Sequence, residues 1–187
     1  MAAVKASSVL LWASIPCTGG SSWQHLNARF PNGRKLIAAH KLLFRQIWTA
    51  FEQVATECLR CGGHVAIEWP RACSYWREDA VTSFVSKHGF SRVTFDGCAL
   101  GLVSNRTGLP IKKPWAVLTS CPQLVSALQV FVCPGPVVHS THQPCAGSET
   151  KATEGYTPKL ASIVHDVFRA LLPRHRALVA LPALLRC

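Results

Sequence analysis

The chain has 187 residues, 49% of them hydrophobic, which is enough to bury one sizeable core and too apolar for a disordered chain. Lysine and arginine number 20 against 9 acidic residues, and the resulting +11 favours an acidic partner such as nucleic acid over a neutral small molecule, although scattered charges on a solvated face account for it equally well. Nine cysteines, odd in number and without the dense spacing of a small secreted scaffold, point to reduced thiols and an intracellular protein, nuclear or cytoplasmic.

Lys5 followed by the apolar run Val9 to Ile15 faintly resembles a signal sequence, but the run is short, holds Trp12 and Ser14, and lacks a small-x-small cleavage site. It reads as a buried strand, followed by Pro16-Cys17-Thr18-Gly19-Gly20-Ser21. From Lys35 to Cys61 the residues Leu36, Ala39, Leu43, Ile47, Phe51, Val54 and Cys58 recur at three- and four-residue steps, the pattern of one helix packed on one side. Asn32-Gly33 predicts a turn before it and Gly62-Gly63 a turn after it. Val65-Ala66-Ile67 then forms a strand that stops by Pro70, placing Glu68 at a strand end near the rim. Two parallel strands joined by a right-handed helical crossover would bring Cys17 and Glu68 to one edge of a sheet, where open α/β folds bind ligands.

Further along, Asp79 to Lys87 reads as a helix ended near Gly89, Val93 to Phe95 as a strand, Asp96 to Lys113 as irregular, and Trp115 to Thr119 as another strand. Pro122 to Phe131 predicts a short helix, Cys133 to Gly155 a loop, and Thr157 to Leu172 a helix opened by Pro158 and ended by Pro173. Residues 1–172 are expected to form one domain and 173–187 a basic and apolar tail. No stretch approaches the length of a membrane-spanning helix, so no membrane partner is expected.

The order of these short motifs resembles the cytosine-5 DNA methyltransferases: Pro16-Cys17 after one strand, Ile67-Glu68-Trp69-Pro70 after the next, and Gly108 to Trp115 leading into a later one. It is closer still to divergent segments of that kind in mobile-element and viral reading frames, with Asp96-Gly97-Cys98-Ala99-Leu100-Gly101, a Lys-Pro and a late Cys/His-rich loop. The resemblance implies an α/β, Rossmann-like methyltransferase half-domain with a mostly parallel sheet and flanking helices. It implies that Cys17 adds as a thiolate to C6 of cytosine, that Glu68 supplies a proton or hydrogen bond at N3, and that Trp69, Arg71, Lys112 and Lys113 contact DNA. The cofactor would be S-adenosylmethionine. The Gly-rich turn and acidic residue that bind it do not precede the first strand, so that half is expected from an upstream segment or a separate chain.

Each of these residues has a plainer reading. Cys17 can be a small buried hydrophobe, Glu68 can cap a helix or pair with Arg71, and Lys112 and Lys113 can be a solvated turn. A non-catalytic nucleic-acid-binding module is therefore the alternative. A thiol hydrolase pairing Cys17 with His25 or His40 is a third reading, with nothing to place either histidine beside the thiol. Separately, Cys133, His139, His142 and Cys145 supply the ligand types of a tetrahedral zinc site at a spacing that matches no common finger, against an ordinary Pro-rich loop. Cys58 and Cys61 form a lone C-x-x-C, for which core packing of Cys58 is the better account.

Overall fold

The computed structural model describes residues 9–172; the tail expected at 173–187 lies outside them. Four strands, β1 (Leu10–Ala13), β2 (His64–Pro70), β3 (Ser91–Asp96) and β4 (Pro114–Thr119), form one sheet in the order β1-β2-β4-β3. The helices are α1 (Gln24–Asn27), α2 (Pro31–Arg60), α3 (Asp79–Lys87), α4 (Pro122–Leu128), α5 (Ser148–Ala152) and α6 (Pro158–Leu171).

Because successive strand residues face opposite sides, each strand feeds two cores. Val65, Ile67 and Trp69 of β2 point into a cluster with Phe44 and Trp48 of α2 and Val81 and Phe84 of α3. Ala66 of β2, with Trp115 and Val117 of β4, joins Leu124 and Leu128 of α4 and Leu160 of α6 on the other face. The architecture is thus helices on both faces of a mixed sheet.

As expected, β1 and β2 are parallel, with Ala13 opposite Ile67, and α2 is the crossover between them. The expectation of a mostly parallel sheet is corrected: β4 pairs antiparallel with both β2 and β3. The cause is the irregular stretch after β3, which returns the chain as a wide hairpin with Asp96 opposite Pro114 instead of carrying it across a face through a helix. Asn32-Gly33 is also not a turn before the helix. Pro31 opens α2 at its first position, and Gly33 lies in its first turn against the Asn27 carbonyl, where any Cβ would collide.

Candidate functional site

A cleft of about 360 Å³ opens at the carboxyl ends of β1 and β2, lined by Cys17, Glu68, Lys113 and Glu154 among others. Both residues singled out for chemistry line it. Glu68 is not at a solvated rim: it is 4% exposed, on the strand face that carries Ala66, opposite the face of Trp69. Its Oε2 accepts from Tyr156 Oη at 2.7 Å and from Ser14 Oγ at 3.0 Å, and Trp12 Nε1 in turn donates to Tyr156 Oη at 3.0 Å. Arg71 is not its partner; the Arg71 side chain is exposed, and its carbonyl accepts from Arg92.

Burial raises the Glu68 carboxyl above the usual glutamate range, against the opposing pull of the Tyr156 and Ser14 hydroxyls and the Lys113 charge. The Cys17 thiol is pushed up by burial first and then by the negative charge of Glu68, while its own backbone hydrogen bonding and Lys113 pull it down. A proton on Glu68 removes the second of these, so the thiolate is easiest to form when the carboxyl is protonated.

The loop that carries Cys17 is fixed by packing. Gly19 and Gly20 are buried under Tyr75, whose ring stacks on Phe44 at 3.8 Å between centroids. A Cβ on Gly20 would lie 2.8 Å from Cys73 Sγ and 2.9 Å from the Tyr75 ring. The glycine pair therefore admits an aromatic ring, and it does not fit the cradle that a nucleoside cofactor such as S-adenosylmethionine needs. His40, in α2, has its carbonyl near Tyr75 Oη and is not placed beside the thiol by any hydrogen bond.

The residues expected at DNA divide. Trp69 is 1% exposed and donates its indole N–H to the Ile15 carbonyl at 2.6 Å, so it is a core residue that adds only an edge to the wall of the cleft. The alternation of Val65, Ile67 and Trp69 on one strand face already required this. Lys113 donates to the Thr153 carbonyl and lies over the Trp115 ring, 5.2 Å from its centroid, while Lys112 is exposed.

The Cys/His loop also differs from expectation. Cys133, His139 and His142 converge, but the fourth member is Cys98, in the 3₁₀ turn Gly97–Leu100 after β3. Cys145 is turned away, with its sulfur 3.3 Å from Thr153 Oγ1. Cys58 packs against the core as expected and reaches the His64 carbonyl at 3.5 Å.

Ser14, Tyr156 and Cys98 are the site residues that sequence reasoning missed as participants. Ser14 lies two residues beyond Trp12 and so shares its strand face, a signal that was available. Tyr156 lies 88 residues from Glu68, and no local pattern marks it. No known protein family, curated protein or solved structure matches the chain.

Proposed function

We propose that the cleft binds a cytosine extruded from DNA and that Cys17 and Glu68 act on it as the nucleophile and the proton donor of a cytosine-5 methyltransferase-like site. The observation that supports this is their common position at the carboxyl ends of adjacent parallel strands, in a cleft within the lower part of the ~300–1,000 Å³ span of ligand pockets. A carboxyl held up by burial keeps its proton to higher pH than a free glutamate, which suits donation to N3 of the ring. Sulfur then adds to C6, and the protonated ring carries the electron pair to C5. The methyl donor would be held by a segment outside residues 9–172 or by another chain. Among the described residues β1 pairs on one side only, so its free edge is a place where such a half could continue the sheet.

The test needs no methyl donor. Addition at C6 lets water deliver a proton to C5, and loss of the original hydrogen followed by elimination of the thiolate returns cytosine. Release of tritium from DNA carrying [5-³H]cytosine should therefore depend on the protein, disappear in Cys17→Ser, fall by about 10²-fold or more in Glu68→Gln and persist in Cys58→Ser. Release that survives Cys17→Ser would place the chemistry elsewhere.

A non-catalytic nucleic-acid-binding module is favoured by a separate observation. Trp23, just before α1, and Phe30, just before α2, are 53% and 67% exposed and close in sequence to Arg29, Arg34 and Lys35, a combination of stacking rings and cations that suits single strands. DNA binding without tritium release selects this reading. Absence of both defeats the two together.

A further inference from the structure

We propose that Cys98, Cys133, His139 and His142 bind one zinc ion as a closed, structural site. The four ligand atoms all lie within 4.8 Å of one another. Cys133 Sγ is 3.5 Å from His142 Nε2 and 3.8 Å from His139 Nδ1, and the two imidazole rings are perpendicular with centroids 5.3 Å apart. Tetrahedral zinc with Zn–S of about 2.3 Å and Zn–N of about 2.0 Å sets sulfur and nitrogen about 3.5 Å apart, close to the two distances from Cys133 Sγ. Two thiolates and two imidazoles with no carboxylate among them select zinc over magnesium, calcium or manganese. Four protein ligands leave no open position, which makes the site structural.

The surroundings supply a second reason. Asp96, two residues before Cys98, is 4% exposed; its Oδ2 accepts from the Cys133 backbone N–H at 3.0 Å, whereas its Oδ1 is buried with no partner. Through Oδ2 this carboxylate holds the backbone of a ligand-bearing residue in place, an outer contact of the kind that orients metal ligands. The chain between α4 and α5, residues 129–147, contains no regular element and is tied by few backbone hydrogen bonds, one of them from Gln143 N to the Pro110 carbonyl. A long irregular segment in a compact fold needs another constraint. An ion joining Cys133, His139 and His142 to the turn after β3 provides it, with release of the two thiol protons.

The experiment uses the full chain, purified without chelators. Elemental analysis should find one zinc per chain, and cobalt exchanged into the site should give the ligand-field and sulfur charge-transfer bands of a tetrahedral centre with two thiolates. After dialysis against a competing chelator, Cys98→Ser and His142→Ala should retain at least about tenfold less metal than the parent, while Cys145→Ser and Cys58→Ser should match it. A parent chain that stays metal-free in zinc-replete medium and gives no such cobalt spectrum overturns the proposal. So does a set in which Cys145→Ser loses the metal and Cys98→Ser keeps it. The cobalt spectrum of the parent decides the matter even if the ligand variants fail to fold, and none of these readouts depends on the chemistry of the Cys17 cleft.

Discussion

Replacing Gly19 with alanine tests whether the Cys17 loop is held by the thickness of a stacked ring. The added methyl would lie 2.5 Å from Tyr75 Oη, 2.9 Å from His40 Cβ and 3.2 Å from Lys41 N. Tyr75 cannot retreat, because its ring is fully buried and stacked on Phe44, and His40 Cβ and Lys41 N belong to the rigid helix α2. Overpacking of this kind costs about 1–3 kcal/mol, which in a chain of this length lowers Tm by about 2–12 °C. Removing the Tyr75 hydroxyl should relieve the tightest of the three contacts, since that hydroxyl makes only a long 3.5 Å bond to the His40 carbonyl. Gly19→Ala should therefore cost less in a Tyr75→Phe background, with a coupling of about 0.5 kcal/mol or more in a cycle followed by urea and thermal denaturation. A Gly19→Ala chain as stable as the parent, or an equal loss in both backgrounds, would refute the account of the loop.

Glu68→Gln should stabilise the fold increasingly as pH rises above the free glutamate value of about 4.3, because a carboxyl raised by burial binds its proton more tightly when folded. Its ionised form then opposes folding fully above the folded pKa and not at all below the unfolded one; urea midpoints of parent and variant that stay parallel from pH 5 to 8 would contradict this. Tyr156→Phe removes the 2.7 Å donor to Glu68 and should push the carboxyl further up, visible in a side-chain carbon NMR titration, at a cost of about 1.5–3 kcal/mol. Binding to DNA should weaken steeply with salt, as counterion release demands, and a mobility shift unchanged between low and high salt would exclude the basic surface as its source. Chelation should expose residues 132–147 to limited proteolysis ahead of the rest of the chain; cleavage at equal rates with and without chelator would deny the metal its clamping role.

What the sequence made legible depended on range. The three- and four-residue steps from Leu36 to Cys58 reported that α2 is a helix but not its buried face, which runs through Phe44, Trp48 and Ala55 while Leu36, Leu43 and Val54 are exposed, and Pro70 bounded β2 because proline cannot donate to a ladder. The parallel pairing of β1 with β2 followed from that helix. The place of β4 between β2 and β3 did not, since pairing between distant strands leaves no local trace and the loop after β3 has no helical period to suggest a crossover. In the site, Cys17 and Glu68 were visible as polar residues at the ends of apolar runs. Three of the four members of the Cys/His cluster were visible in the sequence, whereas Cys98 is brought in from another element, and Cys145, near in sequence, lies outside the cluster. Trp69 neighbours Glu68 in the chain, but strand alternation puts it on the opposite face, where it is a core residue that only edges the cleft.

That alternation has a consequence for how variation along β2 should be read. Val65 and Ile67 serve the interior alone, Trp69 is a core residue that also edges the cleft, and Glu68 turns toward the cleft from the layer that also holds Ala66. A saturation survey scoring cellular abundance should thus be intolerant at 65, 67 and 69 and permissive to glutamine at 68, and a survey scoring the chemistry should invert the ranking at 68 alone. On the proposed chemistry, selection for persistence and selection for catalysis would fall on separate positions of one seven-residue strand, and each could drift without dragging the other.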